Sequence, residues 1–457
     1  MSRVTGAFVI RGVITNTSPV VIGTGRGESV DIEIARGYDG DRPYLPATAL
    51  MGVLRHRIAN DSPLRFFWGG EKDDDGQSHF IIEDLLPENE CEMVASVRHG
   101  IRIDGRTGLV EHGAKFTYEI LEPGAKFRFH AEALLRDGFC ESLFLEQIGR
   151  VLHELSNGNK HNGGAVAVGA MVNKGFGRIR LEPGFKTWKF DFSKADHAVH
   201  WLEYRGGQLP PAELVQQIIP IPGPAGDTFS ISADFGLASS LIIGSYSANP
   251  KMPDKTHLTC RGKQILSGAS IKGALRARAV RIIDNFGKNG EEILKDMFGW
   301  AEKTGAPGGA RAKRSRLSVE EAQVLGSIPA IQSRVKIDRF TCGASDSALY
   351  DSMPLWEKTD GSSVTIELCL RDFRNWEAGL LLHLLKDLWS GDLPIGGEKS
   401  IGRGALKGKK AVIRVGGVDY TISTSGNESY SALSFNDGAR QALEAYAEAF
   451  LKKMEEK

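Results

Sequence analysis

The apolar and polar positions of the chain follow one order of predicted elements, and that order occurs twice. In each half the pattern predicts a strand, a loop, a helix, further strands, a second helix, a glycine-rich loop and a last strand. This β-α-β-β-α-β order is typical of a ferredoxin-like fold of the α+β class. Residues 434–457 place apolar and charged residues at helical spacing, which predicts a C-terminal helix packed on the second half or on a neighbour.

Two short motifs each occur twice, with the same separation along the chain, which indicates that the halves are copies of a single domain. The segment VVIGTG around Gly23 recurs as LIIGSY around Gly244. The segment PATALMGVLR, ending at Arg55, recurs as SGASIKGALR, ending at Arg276. Both pairs have the same offset in residue number, which is 221. A repeat of this length is a duplicated domain and not a short-period solenoid.

A proline-rich segment separates the two copies. Its prolines are Pro210, Pro211, Pro220, Pro222 and Pro224. Because proline disfavours the interior of helices and sheets, we place a linker at residues 207–227. The first domain is then residues 1–206, and the second is residues 228–457 with the C-terminal helix. A chain of 457 residues has room for two such cores.

The two equivalent helices are candidate anion sites. They are predicted to open at Thr48 and Ser270, whose hydroxyls are suited to cap a helix. The free N–H groups and the helix dipole at such an N-terminus favour a phosphate. Further positive charge on the same helices comes from Arg55, Lys272 and Arg276. Ordinary capping with solvated basic side chains is the alternative, and the repetition of the design favours binding.

Each copy ends in a glycine loop with basic residues. Glycine lets a backbone approach a sugar-phosphate chain closely while Lys and Arg flank it. The candidate residues are Asn173, Lys174, Gly175, Gly177 and Arg178 in the first loop and Lys399, Gly402, Arg403 and Gly404 in the second. Neither loop matches a P-loop or a dinucleotide-binding fingerprint. A tight turn without a ligand is the alternative for either loop alone.

Composition limits the chemistry that the chain can carry. Lys and Arg number 57 and Asp and Glu number 57, so any nucleic-acid surface must come from local patches. The cysteines are Cys91, Cys140, Cys260, Cys342 and Cys369. They form no C-x-x-C pair, which argues against zinc or disulfides and predicts buried thiols in a reducing cytosol. Because no apolar run is long enough to span a bilayer, we expect a soluble cytoplasmic protein with no membrane partner.

The order of these motifs resembles that of the repeat-associated mysterious protein (RAMP) superfamily of CRISPR effector complexes. The shared features are an apolar stretch ending in glycine, an acidic loop, a helix carrying Leu-x-Gly-x-Leu-Arg, and a terminal glycine loop. The resemblance covers most of residues 5–183 and 228–415. It is strongest to the backbone subunit of type III complexes, and the fusion of two domains is similar to the type III-D variants.

This resemblance implies a modified RNA-recognition fold that polymerises along guide RNA, the crRNA. It also implies target RNA and the other type III effector subunits as partners, and a thumb hairpin that splays target bases at regular intervals. The residues that match the thumb are Arg102, Asp104 and Arg106 in the first copy and Lys336 and Arg339 in the second. The helix and glycine-loop residues named above become candidate RNA-binding residues.

In the family, an aspartate on the loop after the first strand cleaves target RNA. Its match in the first copy is Asp31, where the offset to Gly52 is 21. In the second copy the offset from Asp254 to Gly273 is 19, and the plain repeat offset of 221 lands on Met252. Assigning Asp254 therefore requires a shift of two positions.

A loop aspartate can assist RNA cleavage by removing a proton or by holding a divalent ion. Mg²⁺ is the natural candidate, because it binds through one or two carboxylates together with phosphate oxygens. Other acids of the first loop compete for this role: Glu28, Glu33, Asp39 and Asp41. A solvated loop aspartate or an Asx-turn is the alternative interpretation.

Three functions remain open. The first is a subunit of a surveillance complex that grips guide RNA and cleaves target RNA at up to two sites, as a metal-dependent endoribonuclease. The second is a backbone subunit that binds RNA without cleaving it. The third is a stand-alone endoribonuclease that matures guide RNA, which requires a histidine-centred site. Because His56, His79 and His112 fall at no recognisable motif, we rank the third function last.

Overall fold

The computed structural model describes most of the chain. The described residues are 3–23, 30–37, 42–58, 65–69, 77–89, 93–157, 165–223, 226–246, 251–302, 311–424 and 433–456. Within them helices are mixed with sheets that are mainly antiparallel, which confirms the α+β class. None of the helices in these ranges is long and apolar enough to cross a bilayer.

The first copy occupies the elements up to α4. Its strands are β1 (Val4–Asn16), β2 (Phe80–Ile82), β3 (Ala95–Gly100), β4 (Phe116–Leu121), β5 (Lys126–Arg136), β6 (Ile179–Leu181) and β7 (Lys186–Asp191). Its helices are α1 (Ala47–Ile58), α2 (Arg65–Trp68), α3 (Glu141–Asn157) and α4 (Ala195–Arg205). One-turn 3-10 helices lie at Val172–Lys174 and Ala212–Leu214.

The second copy has more strands. They are β8 (Thr228–Leu237), β9 (Gly244–Ser245), β10 (Lys255–His257), β11 (Thr259–Cys260), β12 (Lys263–Leu266), β13 (Trp300–Glu302), β14 (Arg311–Lys313), β15 (Leu317–Val319), β16 (Ala322–Leu325), β17 (Ser327–Pro329), β18 (Gln332–Ile337), β19 (Ala344–Met353), β20 (Leu355–Glu357), β21 (Ser363–Arg371), β22 (Leu406–Val415), β23 (Val418–Thr424) and β24 (Leu433–Phe435). Its helices are α5 (Gly268–Asp284), α6 (Gly290–Ile293), α7 (Lys295–Phe298), α8 (Asn375–Trp389) and α9 (Ala439–Glu455). A 3-10 turn lies at Lys399–Ile401.

The main sheet of the first copy has the predicted ferredoxin-like strand order. β1 lies between β5 on one side and β6 and β7 on the other, and β2 extends the sheet beyond β5. All of these pairs are antiparallel. Across the sheet the order is β2, β5, β1, β6. These are the second, third, first and fourth core strands along the chain, which is the arrangement of a β-α-β-β-α-β unit.

The second copy repeats this order in a nine-stranded sheet. β8 lies between β21 and β22, as β1 lies between β5 and β6, and both β15 and β16 pair with β21. β23 and β24 continue the sheet past β22, and β11 and β12 continue it past β16. The duplication predicted from the motifs is thus present in the strand pairing.

Each copy has its own hydrophobic core. In the first, Leu50 and Leu54 of α1 are buried and pack with Phe144 of α3 against the sheet. Their equivalents in α5, Ile271 and Leu275, are buried in the second core. The four-residue spacing puts each pair on one face of its helix, so the opposite face is left at the surface.

The proline-rich segment lies along the first copy. The backbone N–H of Gln216 donates to Thr187 O at 2.9 Å, and that of Ile221 donates to Gly149 O of α3 at 2.9 Å. A Cβ built on Gly149 would lie 2.8 Å from Ile219 O. Because Gly149 has no side chain, the proline-rich segment can cross α3 closely. The chain between the copies therefore contributes to the packing of the first copy.

Helix α9 covers α8 of the second copy, as the proline-rich segment covers α3 of the first. Phe450 of α9 is buried, and a Cβ built on Gly379 of α8 would clash with Tyr446 O. Gly149 and Gly379 thus allow the same kind of close crossing in the two copies. The predicted packing of the C-terminal helix on the second copy is confirmed.

The two copies meet at a joint held by buried ion pairs. Arg98 Nη1 of β3 lies 2.5 Å from Glu321 Oε1 in the turn between β15 and β16, and their side chains are 5% and 8% exposed. Beside this pair Arg178 is bonded to Glu320. The Arg98 guanidinium also lies over the ring of Phe176, 5.4 Å from its centroid. Paired charges with little exposure to solvent therefore hold the copies together.

A buried histidine joins strands of the second copy. His257 is 3% exposed, its Nδ1 accepts from the backbone N–H of Ile243 at 3.2 Å, and its Nε2 donates to Ile265 O at 3.0 Å. Burial lowers the pKa of His257 to about 4. The imidazole is therefore neutral in the folded protein at ordinary pH.

We expect the protein to lose stability as the pH falls from 6.5 towards 4. In that window the unfolded chain binds a proton on His257 that the folded state excludes, so protonation favours unfolding. The loss approaches about 3 kcal/mol near the lower end. Urea unfolding at neutral pH and at about pH 5 measures it. His257→Gln is the control, and a pH dependence identical to that of the unchanged protein would contradict the assignment.

Cysteine burial follows the prediction only in part. Cys260 and Cys369 are buried free thiols, whereas Cys140 and Cys342 are exposed. The expectation of buried thiols is therefore wrong for the last two, which lie at a helix start and on a hairpin turn. Cys91 lies outside the described residues.

Candidate functional site

The surface faces of α1 and α5 carry a glycine at equivalent positions. Gly52 and Gly273 are exposed, and a Cβ built on either would meet nothing within 4 Å. Glycine inside a helix costs about 0.5–1 kcal/mol relative to alanine. Since no neighbour among the described residues requires it, the repeated glycine leaves room for the close approach of another molecule.

The helices begin earlier than predicted. α1 begins at Ala47 and α5 at Gly268, not at Thr48 and Ser270. In α5 the capping residue is Ser267, whose hydroxyl accepts from the backbone N–H of Ser270 at 3.2 Å. Ser270 is therefore in the first turn, where its N–H is already satisfied.

Neither helix N-terminus offers the predicted phosphate site. In α1 the backbone N–H of Ala47 donates to Asp84 Oδ1 at 2.7 Å, so a carboxylate already occupies this end. In α5 a Cβ on Gly268 would lie 2.6 Å from Val319 O and would clash with Lys174 O. The first turn of α5 is closed by the joint between the copies.

Lys272 was predicted as a surface cation and is buried in the joint. It is 7% exposed, and its Nζ donates to Ser315 Oγ at 2.7 Å, Leu317 O at 2.8 Å and Asn173 O at 3.5 Å. Burial lowers the pKa of Lys272 to about 7. Its amino group bonds across the joint to Asn173 O and is not presented to the surface.

The other candidate residues of these helices are accessible. Thr48 is exposed, and Arg55 is half-buried. Arg276 Nη2 lies 2.6 Å from Glu291 Oε2, with its side chain 40% exposed. A pair this exposed is worth little energetically, so Arg276 can exchange its partner for a phosphate at small cost.

The first glycine loop is part of the joint. Gly175, Gly177 and Arg178 are buried, and a Cβ on Gly175 would lie 2.5 Å from Glu321 N. Burial lowers the pKa of Lys174. These residues hold the second copy in place.

The backbone of the second loop repeats that of the first, residue for residue. The left-handed positions of the first loop are Gly169, Met171, Gly175 and Gly177, and those of the second are Gly396, Glu398, Gly402 and Gly404. The offset in residue number is 227 for every pair. This register sets Arg403 at the place of Phe176.

The second loop has an exposed outer side. Lys399 and Gly402 are exposed, whereas Gly404 is buried. Arg403 is 2% exposed, with its Nε 3.0 Å from Glu398 Oε2 and its Nη2 bonded to Gln332 Oε1 at 2.6 Å. Of the predicted residues of this loop, Lys399 and Gly402 are therefore the accessible ones.

The segment after each candidate aspartate pairs in the same register. Gly23 bridges Ile34, and Gly244 pairs with His257, both antiparallel. The offset between the two glycines is 221, whereas the offset between Ile34 and His257 is 223. The second loop is therefore longer by two positions.

The residues that follow the two aspartates pair with the thumb region, and this pairing shows the same shift of two positions. Ile32 bridges β4 in parallel, and Lys255 pairs with β19 in parallel. Asp31 directly precedes Ile32, and Asp254 directly precedes Lys255. Asp254 thus occupies the position equivalent to Asp31, which the plain offset missed.

Both aspartates are exposed and accept hydrogen bonds from equivalent strands, β4 in the first copy and β19 in the second. Thr117 donates its backbone N–H at 2.7 Å and its hydroxyl at 3.1 Å to Asp31 Oδ2. Asp351 donates its backbone N–H to Asp254 Oδ2 at 3.0 Å. Of the competing acids, Glu28, Asp39 and Asp41 lie outside the described residues, and Glu33 is half-buried.

The β3–β4 and β18–β19 hairpins occupy the predicted thumb regions and end in the same turn. Asp104 Oδ1 accepts from the backbone N–H groups of Arg106 at 2.9 Å and Thr107 at 2.7 Å. Asp338 accepts from the backbone N–H groups of Phe340 and Thr341 at 2.9 and 2.8 Å. Asp104 therefore shapes the hairpin tip.

The first thumb reaches the second copy. A Cβ built on Gly105 would lie 3.5 Å from Ala277 Cβ on α5, one helical turn from Gly273. The predicted basic residues of both thumbs are exposed: Arg102, Arg106, Lys336 and Arg339. The tip of the first thumb thus lies beside α5, one helical turn from the exposed Gly273.

A family model described as the RAMP superfamily matches residues 13–180 and 237–407. The two matches cover more than half of the chain. The chain belongs to the RAMP superfamily. The two separate RAMP matches confirm the tandem arrangement, and proteins of this superfamily are in general CRISPR-associated and RNA-binding. No curated protein matches the chain.

The described part of this RAMP chain contains no group of three or more His, Cys, Asp or Glu side chains that could hold a metal ion. A single exposed carboxylate at Asp31 or Asp254 nevertheless fits an Mg²⁺ ion whose other ligands are RNA oxygens and water. Such an ion would be bound together with RNA.

The joint was not predicted from the sequence. Glu320 is separated from Arg178 by 142 positions, and Glu321 is separated from Arg98 by 223. The sequence feature that marks this joint is the pair of adjacent acidic residues Glu320 and Glu321. Nothing in local periodicity tells such a pair from a solvated turn.

Proposed function

We propose that this RAMP chain is a subunit of a type III CRISPR effector complex that holds guide RNA across α1 and α5 and cleaves target RNA at up to two sites. The observation that carries the proposal is the repeated exposed glycine, Gly52 and Gly273. A sugar-phosphate backbone approaches a helix most closely where no side chain intervenes. Guide RNA, target RNA and the other type III effector subunits are the expected partners.

The first thumb supports this RNA path. Its tip lies beside Ala277 of α5, one helical turn from Gly273. RNA that crosses Gly273 therefore passes beside the tip, where the exposed Arg106 and the weakly paired Arg276 can contact phosphates. Contacts of this kind make binding dependent on salt.

Cleavage is proposed at the two equivalent aspartates. The 2′-oxygen of a target nucleotide attacks the adjacent phosphorus, the bond to the 5′-oxygen breaks, and the products carry a 2′,3′-cyclic phosphate and a 5′-hydroxyl. Asp31 or Asp254 accepts the proton of the 2′-hydroxyl, directly or through water, and the 5′-oxygen takes a proton from solvent. Bound Mg²⁺ would stabilise the charge on the phosphate.

Filling the helix glycines is expected to weaken guide RNA binding without harming the fold. Gly52→Gln and Gly273→Gln place side chains where the RNA is proposed to lie, and we expect each to weaken binding about tenfold, roughly 1.4 kcal/mol. The unfolding free energy should rise by up to about 1 kcal/mol, because glutamine favours a helix more than glycine does. Mobility shift of labelled guide RNA at fixed salt and urea unfolding measure the two effects.

Gly223→Gln is the matched control. A Cβ at Gly223 also meets nothing within 4 Å, but the residue lies in the proline-rich segment and not on either helix. This variant should bind guide RNA as the unchanged chain does. Unchanged RNA affinity in the double variant at Gly52 and Gly273 would reject the proposed path.

A further inference from the structure

The carboxylate of Asp31 is held in a reciprocal arrangement with one residue. Thr117 donates two hydrogen bonds to Asp31 Oδ2, and the backbone N–H of Asp31 donates to Thr117 Oγ1 at 3.2 Å. A β-branched side chain on a strand has few rotamers, so the hydroxyl is held in place. Two hydrogen bonds therefore orient the exposed carboxylate, and a third ties the Asp31 backbone to the same hydroxyl.

Asp351 is the counterpart of Thr117. Thr117 precedes the β4 residue that bridges Ile32, and Asp351 precedes the β19 residue that pairs with Lys255. Ile32 and Lys255 in turn follow the two candidate aspartates. The same place beside the aspartate is thus filled by a hydroxyl in one copy and by a second carboxylate in the other.

This difference changes how Asp254 is held. Among the described contacts, Asp254 accepts one hydrogen bond, from the backbone N–H of Asp351 at 3.0 Å. The side chain of Asp351 is an acceptor when ionised, so it cannot replace the hydroxyl of Thr117. Asp351 Oδ1 is itself buried without a hydrogen-bond partner in the described structure. When ionised, the Asp351 carboxylate also adds negative charge on the residue that bonds Asp254, which opposes the approach of a phosphate.

We propose that Thr117 is the positioning residue of Asp31, and that Asp351 leaves Asp254 less well positioned, so that the two cuts proceed at different rates. This inference rests on the proposed function, since it concerns the same two aspartates. The cut assigned to Asp31 is the faster one. The tandem chain then carries one strong and one weak site on a single guide RNA.

The rate of each cut in the assembled complex tests this inference. Asp31→Ala and Asp254→Ala first assign each band of the target RNA cleavage ladder to its aspartate. Thr117→Val, which keeps the backbone N–H but removes the hydroxyl, should slow the Asp31 cut about tenfold under single-turnover conditions. Thr117→Ser should restore the rate to within about threefold. Target RNA affinity should stay unchanged in both, which separates positioning from folding.

The second copy provides the reciprocal experiment. Asp351→Thr supplies the missing hydroxyl and should speed the Asp254 cut about tenfold. Asp351→Asn removes the charge and keeps the size, so a smaller gain with this variant supports a role of the hydroxyl beyond charge removal. Because this pair acts in the other copy, it tests the idea even where Thr117→Val folds poorly.

Two failures have different meanings. If both cuts persist in Asp31→Ala and Asp254→Ala, the proposed cleavage function fails. If those variants remove their cuts while Thr117→Val and Asp351→Thr leave the rates unchanged, the positioning inference alone is overturned. Equal rates of the two cuts in the unchanged complex would also overturn it.

Discussion

Replacing Asp31 with alanine is expected to remove one product of target RNA cleavage and to leave the other in place. The carboxylate is the proposed proton acceptor and ion ligand, and loss of such a group lowers a rate by at least about 100-fold. Because Asp31 is exposed, the fold should be unaffected. The measurement is a time course of end-labelled target RNA with the complex assembled on a guide.

Asp254→Ala should remove the other product, and the double variant should bind target RNA without cutting it. Asp31→Asn is the informative control, because it keeps the shape of the side chain and removes the charge. Glu33→Ala tests a neighbouring acid of the same loop and should leave the ladder intact. An unchanged ladder in all of these variants would identify the chain as a backbone subunit that does not cleave.

Replacing Glu321 with alanine is expected to destabilise the protein by about 3–5 kcal/mol, because Arg98 is left buried without its counter-ion. The two side chains are 5% and 8% exposed, and Arg98 Nη2 already has no hydrogen-bond partner in the described structure. Burial raises the pKa of the Glu321 carboxyl, which reflects the cost of placing this pair inside. Urea unfolding monitored by circular dichroism measures the loss.

Replacing both partners should be far less harmful than replacing one. With Arg98→Met and Glu321→Leu together no charge is left buried, and such double replacements are often neutral. Glu182→Ala is the matched surface control: its pair with Arg180 spans 3.4 Å between side chains 54% and 29% exposed, so the expected effect is within about 0.5 kcal/mol. A cost below about 1 kcal/mol for Glu321→Ala would show that the pair does not hold the joint.

Local pattern was sufficient for the parts of the fold that repeat. The apolar spacing of Leu50 and Leu54, and of Ile271 and Leu275, predicted two equivalent helices, and the strand order of both copies followed from the order of elements. The exposed glycines Gly52 and Gly273 were visible in the motif itself. The helix spacing and the motif glycines depend on residues within one or two helical turns, and the strand order depends on the order of elements along each copy.

Register was not available from the motif alone. The plain offset of 221 pairs Asp31 with Met252, so the sequence assigns Asp254 only with a shift of two positions, and the pairing of His257 with Gly244 supplies that shift. A loop can lengthen by two residues without altering any periodicity. The hydrogen bonds between strands fix which residues after the loop are equivalent in the two copies. They therefore decide which aspartate corresponds to Asp31.

The role of each cation also depended on the folded chain. In the sequence Lys272 and Arg276 are basic residues on one helix, four positions apart, and both were predicted to bind RNA. In the fold the joint covers Lys272, whose ammonium group meets Asn173 of the other copy, while Arg276 stays at the surface. Periodicity reports which face of a helix is apolar. Whether a polar face is covered depends on a partner distant in the chain, which no local pattern encodes.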